Sequence, residues 1–184
     1  MTAVDKEGSG LDSLTTLAST DKILCIDVSV PKTANITRAN LMSEAWGKLS
    51  VTGNSTGQTL ATADTFEKVT QFSAEVSGTG ITASHANDKM TVTRTGVYVA
   101  YAQMVVDVDA ADTYRYQFFW NSVAQDTYVE EIRSATGRHT VIVHAMIAAG
   151  VGAQDLELHW KAVAGTRTLT VAEGSASVHM VSAY

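Results

Sequence analysis

The sequence has only one cysteine and one proline in 184 residues. A single cysteine cannot close an intrachain disulfide, so we expect a fold that does not depend on an oxidising compartment. Cys25 lies in the apolar run Ile23–Ile26, which favours a small buried side chain over a nucleophile. No stretch approaches the roughly 20 apolar residues of a membrane span, and the first residues lack the apolar core of a signal peptide. The sequence therefore predicts no membrane insertion and no export by a classical signal.

Basic clusters are also missing from the chain. It has 13 Lys and Arg residues against 19 Asp and Glu residues, a net charge of −6. Nucleic-acid-binding domains usually carry a basic stripe that neutralises phosphates. We therefore expect no nucleic-acid partner.

The short motifs that mark common enzyme families give no support for catalysis. The sequence contains no Walker-type phosphate-binding loop, and its Gly-x-Ser-x-Gly match, Gly53–Gly57, lies in a small polar stretch without the strand-to-helix pattern of a nucleophile turn. Glu130 and Glu131 are adjacent in a predicted strand, so their carboxylates point to opposite faces and cannot act as a joint acid and base. The sequence predicts a protein that is not an enzyme and that has no required cofactor.

The abundant residues are Thr, Val, Ala, Ser and Gly, and they form short alternating segments in residues 66–184. Gln154–Ala162 alternates most regularly, with Leu156, Leu158 and Trp160 on one face. The chain is predicted to end in two strands, Arg167–Val171 and Ala176–Tyr184. Many short strands separated by turn residues are typical of a β-sandwich or barrel, so the predicted fold class is all-β.

The regions before residue 66 are predicted to be different in kind. Residues 1–48 have too few apolar side chains for a core of their own and are interpreted as an N-terminal arm, with a strand at Asp21–Ser29 and a brief helix at Arg38–Ala45. Residues 49–65 are small and polar, which predicts a linker. The head domain is then placed at residues 66–184.

Two long predicted strands are apolar on both faces. Val97–Val106 and Val141–Ile147 lack the polar outer face that a one-sided antiparallel strand normally shows. A second copy of the same sheet would cover the extra apolar face. The sequence therefore predicts an obligate homo-oligomer.

The order of motifs in the head domain resembles the jelly roll of the tumour necrosis factor-like and complement globular-head superfamily. The motifs are Phe66–Val69, Thr95–Tyr101, Phe118–Val123, Ala149–Leu156 and Ser175–Met180. The resemblance implies a jelly-roll β-sandwich that forms a compact homotrimer with aromatic residues near its axis. The trimer interface is then predicted to contain Tyr98, Tyr101, Val143 and Met146.

The N-terminal region is similar to the beginning of bacteriophage tail-fibre and head-fibre proteins. The matching segments are Leu14–Leu17, Asp21–Ile23, Asp27–Ser29 and Ile36–Leu41. The resemblance implies an attachment arm, whose docking residues are predicted to be Leu14, Leu17, Ile23, Leu24, Ile36 and Leu41.

Together the two resemblances predict a structural virion protein on the surface of a phage particle. It would act as a capsid decoration, cement or head-fibre protein, with other virion proteins such as the major capsid protein as partners. One alternative is a tail-fibre protein or receptor-binding tip that recognises a host surface glycan. Another is a bacterial jelly-roll lectin.

Three groups of residues suggest binding chemistry, each with a plainer alternative. Asp107, Asp109 and Asp112 are predicted as calcium ligands. The alternative is a solvated acidic turn that binds no metal. Histidines in strands could bind a metal or sense pH around a three-fold axis, against hydrogen-bonded sheet-face histidines; they are His144, His159 and His179. Alternating aromatics are predicted to form core or subunit interface, against a carbohydrate-stacking platform; they are Tyr114, Tyr116, Phe118 and Trp120.

Overall fold

The structure is a computed structural model that describes residues 22–26, 33–37, 45–133 and 135–183, with the backbone alone at 22–26, 33–37, 126–128 and 183. The chain separates into two compact units, Met1–Ser43 and Glu44–Tyr184. Within the described ranges, no helix is long and apolar enough to cross a membrane.

The N-terminal unit contains a two-stranded antiparallel sheet. Strand β1 (Lys22–Ile26) pairs with β2 (Thr33–Thr37), so that Ile23 lies opposite Ile36. The centre of the predicted first strand is confirmed, whereas β2 was not predicted. The predicted helix at residues 38–45 and the arm residues Leu14, Leu17 and Leu41 fall outside the described residues, except for Ala45, which is not helical.

The C-terminal unit contains two six-stranded antiparallel sheets. Sheet I consists of β3 (Trp46–Val51), β4 (Gln58–Thr59), β6 (Ala74–Ser77), β9 (Gly96–Val108), β12 (Gly137–Ala149) and β14 (Thr168–Ala183). Sheet II consists of β5 (Glu67–Lys68), β7 (Ile81–Ser84), β8 (Lys89–Val92), β10 (Asp112–Trp120), β11 (Val123–Arg133) and β13 (Gln154–Ala162). The strand order is β12-β9-β14-β3-β6 in sheet I, with β4 beside β14, and β11-β10-β13-β8-β7 in sheet II, with β5 beside β13. The predicted all-β sandwich is confirmed.

The core lies between the two sheets and is built by strict alternation along the strands. Tyr98 and Met104 of β9 and Trp160 of β13 are completely buried, whereas the residues directly before and after each of them are more exposed. The four alternating aromatics of β10 also point inward, at 0% exposure for Tyr114, Tyr116 and Phe118 and 9% for Trp120. Their interpretation as core is confirmed, and they cannot form a carbohydrate-stacking platform.

The predicted linker at residues 49–65 is wrong, because this segment belongs to the sandwich. β3 lies between β14 and β6, and Leu49 and Val51 are each only 2% exposed. The polar turn that follows is held in place by Asn54, whose side-chain amide donates to Gln71 Oε1 (2.8 Å) and to the Val171 carbonyl (3.1 Å). The small polar residues of this segment form hydrogen-bonded turns. The head domain therefore begins about twenty residues earlier than predicted.

Candidate functional site

The solvent side of sheet I is unusually apolar. Alternation along β3, β9 and β12 places large hydrophobic side chains on this side, and β14 adds the exposed Val181 at the register shift between Met180 and Ser182. Together we call them the apolar face: Trp46, Val99, Tyr101, Ile142, Met146 and Val181. Met146 is 73% exposed, Val181 59% and Ile142 47%. Contiguous exposed apolar patches on a folded domain mark sites of interaction.

The strand register brings these side chains together in rows across the sheet. Met146 lies opposite Val99, which lies opposite His179, which in turn lies opposite Trp46. In the next row, His144 lies opposite Tyr101, and Tyr101 lies opposite Ser177. Because directly opposite side chains in antiparallel sheets are in contact distance, these two rows form one surface in which two histidines and a serine lie among the apolar side chains.

The structure corrects half of the predicted subunit interface. Tyr98 and Val143 are 0% exposed and point between the sheets, where the Tyr98 hydroxyl donates to the Arg94 carbonyl (2.8 Å). These two residues therefore serve the core of a single subunit. Tyr101 and Met146 do lie on the solvent side, as the prediction required.

Four further members of the apolar face, Trp46, Val99, Ile142 and Val181, were not among the predicted interface residues. Ile142 lies four residues before Met146 on β12, so the two share a side of the strand by the same alternation. Trp46 begins β3. The alternation of this strand was not recognised, because β3 spans the predicted boundary between the arm and the linker. Val181 lies near the end of β14.

A polar groove of about 500 Å³ adjoins the apolar face. Its lining includes Lys48, Ser50, Gln103, Glu173 and Ser175. The groove forms where β14 bulges between Val171 and Glu173. The solvent side of sheet I is thus apolar at one end and polar at the other.

Glycine is required at position 174, which also lines this groove. Gly174 has φ +146°, and a Cβ atom there would lie 2.4 Å from the Gln103 carbonyl oxygen. The close approach of β14 to β9 next to the bulge therefore excludes any side chain at this position.

The three aspartates predicted as calcium ligands do not come together. Asp107 pairs with Arg138 (3.0 Å) and Asp112 with Arg167 (2.8 Å), while Asp109 is exposed. The described residues contain no group of three carboxylate, histidine or cysteine side chains that could hold a metal. Two of the three negative charges are instead balanced by arginines.

Asp112 anchors two loops from a buried position. Its side chain is 1% exposed; Oδ1 accepts the N–H groups of Thr113 (2.7 Å) and Ala164 (2.9 Å), and Oδ2 accepts Arg167 Nε (2.8 Å). Burial raises the pKa of Asp112, but the Ala164 N–H, the Arg167 guanidinium and the Thr113 N–H together lower it below its ordinary value. The carboxylate is charged and structural.

The histidines singled out from the sequence occupy different sheets. His144 and His179 are exposed on the solvent side of sheet I. His159 lies on sheet II, stacked on Phe119 with ring centroids 4.0 Å apart and bonded through Nε2 to Glu157 (3.0 Å). Burial lowers the pKa of His159. The structure thus assigns His159 to a sheet-face hydrogen bond and leaves His144 and His179 beside the apolar face.

One close contact between a histidine and a glutamate was not predicted. His139 Nε2 of β12 lies 2.6 Å from Glu131 Oε2 of β11, and the histidine side chain is 7% exposed. Since β11 belongs to sheet II and β12 to sheet I, the pair links the two sheets at one edge. His139 and Glu131 come together only when the two sheets pack, so no spacing in the sequence predicts the contact.

No family model and no curated protein matches the chain. Among solved structures, the globular domain of zebrafish complement 1qA protein matches with a TM-score of 0.52 and 12% identity, covering 74% of this chain and 97% of that one. The large unit is a jelly roll. The structure of Eiger TNF from S. frugiperda also matches, with a TM-score of 0.47, 12% identity and coverages of 76% and 95%. The predicted resemblance to complement globular domains is confirmed at the level of the fold, and neither neighbour is a bacteriophage protein.

Proposed function

We propose that this protein is a non-enzymatic structural protein that assembles as a homotrimer through the apolar face and decorates a phage head. The observation that carries the proposal is the exposure of Ile142, Met146 and Val181 on a sheet whose other side already forms the core. Association would remove this surface from water.

The energetics favour a self-complementary occupant of the apolar face. Completing the burial of a large, half-exposed apolar side chain contributes about 1 kcal/mol. The five exposed members of the apolar face, which exclude the partly buried Val99, therefore give several kcal/mol in each subunit against the entropy cost of association. A symmetric assembly brings the same face together in every copy. The number three follows from the sequence resemblance to the TNF-like and complement globular-head superfamily, which the jelly-roll fold supports.

The role on the particle rests on the N-terminal region. Its segments resemble the attachment segments of phage virion proteins, and β1 and β2 form a unit separate from the jelly roll. In this proposal the N-terminal unit docks on other virion proteins, such as the major capsid protein. The jelly-roll trimer then stabilises the shell by binding only its assembled form.

The self-association part is tested with a charge placed on the apolar face. In sedimentation velocity, the wild type is expected to sediment as a trimer and Met146→Asp as a folded monomer, because the side chain is 73% exposed and plays no part in the core. Ile132→Asp is the matched control, since Ile132 is 78% exposed but lies on β11 of sheet II. A monomeric wild type, or equal effects of both variants, would overturn the role of this face.

The virion role is tested by locating the protein on purified particles. Antibody labelling over the head surface at hundreds of copies is expected for a decoration protein. Labelling at the tail tip, together with inhibition of adsorption by the free protein, would replace decoration by receptor binding. Absence from particles would overturn the virion proposal altogether.

A further inference from the structure

Two imidazoles lie among the side chains of the apolar face. His144 of β12 lies opposite Tyr101 and is flanked along its strand by Ile142 and Met146. His179 of β14 lies between Val99 and Trp46 of the neighbouring strands. With strands about 4.8 Å apart, the attachment points of the two histidines are roughly 12 Å apart on either side of β9.

Neither imidazole has an acidic partner in the described part of the chain. The other charged or titratable side chains on this side of sheet I are Lys48 of β3, Tyr101 and Asp107 of β9, Arg138 of β12 and Glu173 of β14. Asp107 is paired with Arg138, and Glu173 lies three rows from His179. Lys48 lies diagonally across from His179 and is itself a base, so it cannot balance the positive charge of a protonated His179.

We propose that subunit association through the apolar face requires neutral His144 and His179, so that mild acidification releases the subunits. This inference rests on the proposed self-association and adds its regulation. A neutral imidazole tolerates burial against Ile, Met and Trp side chains, whereas an unpaired imidazolium in the same place is strongly disfavoured. Imidazoles take up a proton near pH 6.5 in water, so release is expected within the range of acidified compartments.

Proton linkage sets the size of the effect. Consider a histidine that is neutral in the assembly and protonated in the free subunit. Each such histidine weakens association up to tenfold for each pH unit below the pH at which the free subunit takes up the proton. Two histidines in each subunit give roughly a hundredfold change per subunit and pH unit. In a trimer, log Kd plotted against pH would approach a slope of about six in magnitude.

The experiment is sedimentation equilibrium between pH 8 and pH 5, limited to the range in which near-UV circular dichroism shows an intact fold. The wild type is expected to dissociate as the pH falls across this range. His144→Gln and His179→Gln should each halve the slope, and the double variant should associate with almost no pH dependence. His85→Gln is the matched control, because His85 is 46% exposed and pairs with Glu75 away from the apolar face.

The outcomes separate the two proposals. Association of the wild type that does not depend on pH, or an unchanged slope in the double variant, would overturn the histidine switch while leaving the interface intact. A wild type that is monomeric at every pH would instead overturn the proposed self-association itself. A slope that is lost equally in His85→Gln would show that the proton binds elsewhere and would also overturn the switch.

Discussion

Replacing Asp112 by alanine tests whether this residue is a structural anchor. The substitution removes three hydrogen bonds, to the Thr113 N–H, the Ala164 N–H and Arg167 Nε, from a side chain that is 1% exposed. It leaves two N–H groups without an acceptor and an arginine without its partner. The start of β10 and the loop that follows β13 would no longer be held together.

The expected cost of Asp112→Ala is about 3 kcal/mol. Each N–H group that loses its acceptor contributes about 1 kcal/mol. The ion pair contributes about 1 kcal/mol more, because Arg167 is 30% exposed and can be rehydrated. A loss of this size lowers the melting temperature by roughly 10 °C in a domain of this length. Asp112→Asn keeps one acceptor oxygen and should lose about half as much.

The contribution of Asp112 also has a defined pH dependence. Its pKa in the folded protein is lower than the ordinary value of 3.8. The stabilisation is therefore fully present above about pH 4 and is lost as the pH falls through the folded-state pKa. The difference in unfolding free energy between the wild type and Asp112→Asn should shrink below pH 4.

The assay is urea denaturation at constant protein concentration, followed by tryptophan fluorescence at pH 7 and at pH 3. Asp109→Asn is the control, because Asp109 is a nearby exposed carboxylate and its loss should change stability by less than about 0.5 kcal/mol. A cost below 1 kcal/mol for Asp112→Ala, or an equal cost for Asp109→Asn, would refute the anchoring role.

Two further pairs of substitutions test the close contact at the bulge and the buried hydroxyls of β10. Gly174→Ala should cost at least about 2 kcal/mol of unfolding free energy in the same assay, because its Cβ would meet the Gln103 carbonyl at 2.4 Å. The control is Gly53→Ala, with φ +64° and no atom within 4 Å of the added Cβ, which should cost about 1 kcal/mol. Equal costs would contradict the steric role of the Gln103 carbonyl. Tyr116→Phe should be neutral or slightly stabilising, because the Tyr116 hydroxyl is buried without a hydrogen-bond partner among the described residues. Tyr114→Phe should lose about 1 kcal/mol, because its hydroxyl donates to the Ala110 carbonyl (2.8 Å). A larger loss for Tyr116→Phe would show that its hydroxyl is paired after all.

Local patterns predicted the elements better than their arrangement. The bounds predicted for Gln154–Ala162 are those of β13, because its alternation is uninterrupted. Two strands were predicted where β14 runs unbroken from Thr168 to Ala183. β14 accommodates the small and glycine-containing stretch between them with a bulge, and both halves pair with β9. Pairing with a neighbouring strand decided this point, and pairing is not a local property.

The sequence by itself determined the all-β class, the aromatic core of β10 and the existence of a second apolar side on β9 and β12. These follow from alternation, which any strand imposes on its side chains. Only the tertiary structure decided which side faces the partner sheet, and so moved Tyr98 and Val143 inward while leaving Tyr101 and Met146 outside. The tertiary structure also pairs Asp107 and Asp112 with arginines that lie 31 and 55 residues away in the sequence. When both sides of a strand are apolar, composition cannot choose between them, and charges distant in sequence meet only after the sheets have packed.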